Sequence, residues 1–144
     1  MIIPGQAVLS RQIVCAILSS KSQMQPCGID LSLKRVLRWR SAGVVDFDNI
    51  HRKTSTTAEM SFQKLHITNG PSSSHKQSAE SMHLPPGAYL IEFNEKVDTP
   101  LDAMGQLFVR SSLFRSGALV SAGAMDAGYK GAIGELTVLL SRAM

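Results

Sequence analysis

From Leu84 to the end of the chain every apolar run is short and fenced by glycine or proline. Leu84-Pro85-Pro86-Gly87 reads as a turn, Ala88 to Phe93 as a strand, and Val97 to Gly105 as a crossing through Pro100. Gln106 to Val109 and Ile133 to Leu140 read as two further strands. Upstream, Ile29, Leu31 and Leu33 alternate, Val44 to Ile50 reads as a strand, and Met60 to Ile67 alternates apolar with polar. Only Gly5 to Ser20 departs from this pattern. There Ala7, Val8, Ile13, Val14, Ile17 and Leu18 recur mostly at spacings of three and four, which predicts one short amphipathic helix packed on a sheet. Many short strands and one helix predict an all-β sandwich or barrel.

A chain of 144 residues suits one domain with a real core, and no apolar run approaches the length of a membrane span. The N-terminus has no basic region leading an apolar one, so no signal peptide is expected. Two cysteines, Cys15 and Cys27, are expected as buried thiols of a reducing cytoplasm, not as a disulfide scaffold. Residues 69–82 form a Ser-rich stretch expected to be a long loop. The net charge of +4 fits either solubility or attraction for a polyanion such as a nucleoside triphosphate.

Several chemistries are excluded by spacing. None of His51, His66, His75 and His83 has a partner at zinc-ligand spacing, and Cys27 lacks a second cysteine three residues on. There is no phosphate-binding Gly-rich loop of the Walker or dinucleotide type and no serine elbow. The cluster Lys34, Arg35, Arg38, Trp39 and Arg40 reads as a strand edge better than as a nucleic-acid surface.

The stretch Val109 to Gly134 carries the remaining chemistry. It opens with Arg110, Ser111 and Ser112, a planar fork of donors beside two hydroxyls, suited to phosphate oxygens. It closes on Asp126, Gly128, Tyr129, Lys130 and Gly131. Each piece also has a plain reading: Arg-Ser-Ser is a common tripeptide and Asp-Ala-Gly-Tyr a turn. Both pieces are expected at strand ends.

Arg110-Ser111-Ser112-Leu113 followed by Asp126-Ala127-Gly128-Tyr129-Lys130-Gly131 resembles the dUTPase and dCTP deaminase superfamily. Gln25-Pro26-Cys27-Gly28-Ile29-Asp30-Leu31 resembles its first motif, and Leu84-Pro85-Pro86-Gly87 with Glu95, Pro100 and Gly105 its central strands. The resemblance covers about Gln25 to Leu140 and is nearest to the archaeal-type dUTPases. It implies a distorted β-barrel or jelly roll of the β-clip kind, assembled as a homotrimer with sites shared between subunits. It further implies hydrolysis of dUTP to dUMP and pyrophosphate with Mg2+, which limits uracil incorporation into DNA and supplies dUMP for thymidylate synthesis. Under it, Asp126 deprotonates the water that attacks the α-phosphate. Arg110, Ser111 and Ser112 hold phosphate oxygens, Tyr129 packs on the deoxyribose, and Ser121, Ala122 and Gly123 read the uracil edge through their backbone. Asp30 helps hold Mg2+ through water. The zinc-independent dCTP deaminases of the same superfamily use a glutamate ten residues past the aspartate. Here that position is Leu136, and Glu135 precedes it. Tyr129 in place of Trp or Phe also favours the dUTPase branch. The deaminase is the second reading, a non-catalytic nucleotide-binding relative the third, and a structural β-sandwich the last. The family's later motifs, a phosphate-binding glutamine strand and a glycine-rich tail, are not found before Met144.

Overall fold

A computed structural model describes residues 2–48, 50–66, 78–121 and 123–139, with side chains described at all of these except 63–66, 78–81, 135 and 136. Ala122 and most of the Ser-rich stretch (67–77) lie outside the described residues.

The fold is built on one long strand, β8 (Gly87–Asp98). Along it Ile91, Phe93, Glu95 and Val97 alternate with more polar positions, the period expected of a strand with one covered face. The other strands are β1 (Val14–Cys15), β2 (Met24–Gln25), β3 (Gly28–Ile29), β4 (Leu33–Trp39), β5 (Thr57–Glu59), β6 (Gln63–His66), β7 (Ser78–Ser81), β9 (Ala118–Ser121) and β10 (Lys130–Leu139). The main sheet runs β5-β4-β8-β10-β9, with β1 paired to the end of β8, and all of these pairings are antiparallel. β2 and β3 form a hairpin, and β6 and β7 pair as a separate two-stranded sheet, so the end of the stretch expected to be a long loop, Ser78–Ser81, is strand where β6 offers it hydrogen-bond partners. An all-β jelly-roll-like architecture is therefore what the chain adopts. The core joins Val8, Ile13, Val97 and Ile133, with Ile29, Leu31, Phe93, Leu107 and Met125 packed around them.

Several details differ from the sequence expectation. The predicted helix over 5–20 is cut short: α1 spans Gly5–Ser10, and Gln12 and Ala16 then take positive φ (55° and 59°), which no helix tolerates. Ile13 turns into the core and Val14–Cys15 joins β8, so the apolar spacing reflects two elements and not one helical face. Two further short helices appear, α2 (Ser20–Gln23) and α3 (Ser111–Arg115).

The strand expected over Gln106–Val109 has no ladder. Leu107 and Val109 are half-buried and Gln106 and Phe108 exposed, so the alternation is real, but the described pairing at this end is the single bridge Gly105–Met125. Likewise Val44 to Ile50 contributes one bridge, Val44–Lys53, and no strand. Cys15 and Cys27, expected to be buried, are both exposed free thiols.

Candidate functional site

The first motif is a hairpin held against α1. Gln25 pairs with Gly28, so Pro26 and Cys27 form its two-residue tip. α1 approaches so closely that a side chain at Gly5 would run into the carbonyl oxygens of Gly28 and Gln25. Ile29 of β3 and Leu31 just beyond it pack on the core, and Asp30 lies between them. The Asp30 carboxylate is one quarter exposed, and its Oδ2 accepts from Arg110 Nη1 at 2.7 Å and from Gln25 Nε2 at 2.9 Å. Two motifs eighty positions apart are thus joined by a direct ion pair.

Arg110 is the extended residue preceding α3, and Phe114 N–H donates to its carbonyl at 2.9 Å. Ser111 and Ser112 begin that helix, and both are exposed. They sit at a helix start and not at a strand end, because the segment before them finds no strand partner among the described residues. Arg110 lines a cleft of about 400 Å³ whose walls are Ile29, Leu31, Phe93, Leu107, Val109 and Val120. The cleft is therefore apolar within and charged along the rim where Arg110 meets Asp30. A second, larger cavity of about 790 Å³ shares Cys27, Ile29, Leu31 and Gln106 to Phe108 with the first, so the strip they form divides the two.

The second motif is the turn Asp126–Tyr129. Tyr129 N–H donates to Asp126 O at 3.0 Å, and Gly128 at the third position takes φ 80°, which that turn reserves for glycine. Thr99 brackets the turn with both backbone groups: its N–H donates to Tyr129 O at 2.8 Å and its carbonyl accepts from Gly128 N–H at 2.9 Å. Asp126 is exposed. The Tyr129 ring folds back over Gly131, and its hydroxyl donates to Ala132 O at 2.9 Å. Lys130 pairs with Asp98 at 2.8 Å, and this contact raises the lysine pKa. Residue 125 ties this turn to the Arg110 segment, since Met125 and Gly105 exchange two backbone hydrogen bonds of 2.9 Å.

The structure brings Asp30 and Arg110 together but does not bring Ser111, Ser112, Asp126, Tyr129, Ser121 or Gly123 to the cleft they line. Ser121 ends β9, where it pairs with Leu136, and Gly123 faces open space. In β10, Glu135 and Leu136 register against Ile91 and Leu90 of β8, beyond a register shift between Ala132 and Gly134.

Three polar residues near the site carry no assigned role in the sequence reading, although Gln25 and Glu95 belong to the motifs that carry the family resemblance. Gln25 shares Asp30 with Arg110, and Gln23 and Glu95 lie beneath. Glu95 had a readable signal, a carboxylate at strand spacing between Phe93 and Val97 on the covered face. It is fully buried. Burial pushes its pKa up, but hydrogen bonds from the Ser32 hydroxyl, the Ser32 N–H and Gln23 outweigh this and hold it below the usual glutamate range. Across the β4–β8 pair Arg35 grips Glu92 with two bonds of 2.8 and 2.9 Å, which lowers the Glu92 pKa. Among the described residues no group of three His, Cys, Asp or Glu side chains is placed to hold a metal ion, and no helix is long and apolar enough to cross a membrane.

A dCTP deaminase-like family model matches residues 5–143. A probable deoxyuridine 5'-triphosphate nucleotidohydrolase of Methanosarcina mazei is 35% identical over 114 residues, covering 79% of this chain and 58% of that protein. One of Methanosarcina acetivorans is 32% identical over 123 residues, 85% of this chain and 64% of the relative. The deoxyuridine 5'-triphosphate nucleotidohydrolase of Methanocaldococcus jannaschii is 31% identical over 111 residues, 77% of this chain and 63% of the relative. The chain thus spans about three fifths of the length of these curated relatives.

Proposed function

The chain belongs to the dCTP deaminase-like family, and from that premise we propose that it acts on dUTP, releasing dUMP and pyrophosphate. The observation that carries this reading is the ion pair Arg110–Asp30 at the edge of an apolar cleft. Asp30 Oδ2 takes a bond from Arg110 Nη1, which leaves the other donors of that guanidinium for phosphate oxygens. Ser111 and Ser112, exposed beside it, add hydroxyl donors. The relatives of like sequence carry the name of dUTP nucleotidohydrolase, which favours this substrate over dCTP.

In this reading Asp126 takes the proton of the attacking water, Tyr129 lies against the deoxyribose, and the backbone of 121–123 reads the base. Mg2+ would offset the triphosphate charge. Asp30 would contribute to it through water, because its Oδ2 already accepts from Arg110 and Gln25 and a lone carboxylate leaves the cation most of its waters. That fits a cation which keeps its waters and takes most of its oxygens from phosphate.

The assembly proposed is a homotrimer whose site is completed by a neighbouring copy. Two observations support it. Asp126 and Tyr129 are not at the cleft that Arg110 and Asp30 line within one chain. Large apolar side chains stand bare, Phe47 fully and Val45, Leu101 and Phe108 at 90%, 87% and 84%, apolar area that association would cover.

The test is product analysis with dUTP and dCTP in the presence of Mg2+, paired with sedimentation. Pyrophosphate from dUTP is expected. Ammonia from dCTP would instead make the chain a deaminase, and a monomer at working concentration would end the shared-site arrangement.

A further inference from the structure

Glu95 is the most deeply buried carboxylate among the described residues, with no exposed surface, and nothing in the proposed reaction uses it. Its Oε1 accepts from Gln23 Nε2 and from Ser32 Oγ, each at 2.6 Å, and its Oε2 accepts from Ser32 N–H at 2.9 Å. These donors flank Asp30. The Asp30 N–H donates to Gln23 O at 2.8 Å, and the Asp30 carbonyl accepts from the same Gln23 Nε2 at 2.9 Å. Both main-chain polar groups of Asp30 are therefore held by one residue, and that residue is held by Glu95. On the far side Ser32 is fixed again by Asn94, whose N–H donates to Ser32 O at 3.0 Å. Asp30 in turn carries Arg110.

A buried carboxylate in a purely packing role is poorly chosen, since an apolar residue of like volume serves at least as well. The chemistry here calls for an anion. Three donors converge on one point from two directions, and both oxygens of a carboxylate accept, whereas an amide offers one acceptor oxygen and turns a donor toward the others.

We infer that Glu95 is a positioning residue for the phosphate subsite: from beneath the sheet it clamps Gln23 and Ser32, so that the Asp30 carboxylate between them stands where it orients Arg110. The inference rests on the reading of Arg110 as a phosphate ligand. It assigns Glu95 no contact with substrate.

The test compares Glu95→Gln and the parent in two measurements. In the first, amide hydrogen exchange, the Asp30 and Ser32 amides are expected to lose about tenfold or more of their protection, while the β8–β10 amides at Tyr89 and Leu90 keep theirs. In the second, binding of a non-hydrolysable α,β-imido-dUTP with Mg2+, affinity is expected to fall roughly 10- to 100-fold, the scale of a misplaced positioning group. The same substitution in an Asp30→Asn background is expected to cost little more, because the route through Asp30 is already broken. A uniform loss of protection, an unchanged affinity, or equal losses in both backgrounds would overturn the inference. Should Glu95→Gln fail to fold, Gln23→Met removes the bridge between Glu95 and the Asp30 carbonyl and is read by the same criteria. A parent protein that binds no dUTP analogue would end the proposed function, and the exchange measurement would still decide whether Glu95 holds Asp30.

Discussion

Replacing Arg110 by lysine keeps the charge and removes the fork. The parent guanidinium gives Nη1 to Asp30 at 2.7 Å and is itself 65% exposed. An ammonium is a point donor on a flexible stem, so it faces either Asp30 or a phosphate with good geometry, but not both. The stability cost is small. An ion pair whose cation is two-thirds in water contributes about 0.2–1 kcal/mol after solvent screening, and Arg110→Lys loses only part of that. For a chain of this size the midpoint of thermal unfolding should move by no more than about 4 °C. The binding cost is larger. A hydrogen bond between charged groups is worth about 1.5–3 kcal/mol, and losing one at a phosphate weakens dissociation constants roughly 10- to 150-fold. Calorimetric titration of α,β-imido-dUTP with Mg2+, alongside thermal melts on the same preparations, measures both. A variant that binds like the parent would remove Arg110 from the site. A variant that loses 10 °C or more of stability, by order of magnitude beyond any exposed pair, would make Arg110 a structural residue.

Asp126→Asn should abolish hydrolysis, with a loss on the order of 100- to 10,000-fold, and leave dUTP binding intact or slightly tighter, because the amide orients a water but takes no proton; paired pyrophosphate release and equilibrium binding decide it, and near-parental turnover would exclude Asp126 from the chemistry. Gly131→Ala places a methyl group 2.6 Å from the Tyr129 hydroxyl and 2.9 Å from the ring carbon bearing it, so the ring must swing off and its bond to Ala132 must break. The expected result is a stability loss of about 1 kcal/mol and a changed preference for dUTP over UTP, and parental discrimination would show that the ring's place does not matter to the sugar. Glu95 and Glu92 both have folded-state pKa values below the ordinary glutamate value, so each stabilises the fold above that value and loses the contribution as pH falls through its folded pKa. Denaturant midpoints should therefore decline below about pH 4.3, and the decline should be shallower in Glu95→Gln; equal slopes would mean that Glu95 is not ionised in the fold.

How far the sequence is legible varies with the kind of signal. The strand predicted over Ala88–Phe93 runs on to Asp98, because Asn94, Glu95 and Lys96 break the apolar run without breaking the ladder. Alternation shows only which side chains are apolar, and Glu95 occupies an inward position as an anion. Gln106 to Val109 shows the opposite failure. Its alternation is intact, yet a strand also needs a neighbour to take its hydrogen bonds, and pattern alone does not supply one. The N-terminal helix was overextended for a third reason: positive φ at Gln12 and Ala16, residues with no intrinsic preference for it, is imposed by packing Ile13 into the core. At the site, residue types alone suited Arg110 to an anion, while its pairing with Asp30 followed from three-dimensional proximity that no local pattern encodes. Gln23 carries no signal of its own, since a glutamine ending a short helix is ordinarily a solvated surface residue, and Gln25 is marked only by its place at the head of the first motif.

Under the proposed function the Asp30 carboxylate stands under two demands that look exclusive. As an arginine partner it must keep Oδ2 on Arg110, and as a magnesium contact it must face the metal. Direct ligation through Oδ2 would set them against each other, for a divalent cation in that atom's coordination range would repel the guanidinium 2.7 Å from it. A water-mediated contact does not, because the metal then stands one hydration layer away and its bound water donates to the carboxylate as Gln25 already does. A triphosphate bound as proposed would make the arrangement consistent: its oxygens would meet the free donors of Arg110 and supply most of the oxygens that hold the metal, with the carboxylate between the two cations. This ordering requires Asp30 to stay fixed while two positive groups arrive around it, which is what a main chain bound at both its N–H and its carbonyl by Gln23 provides.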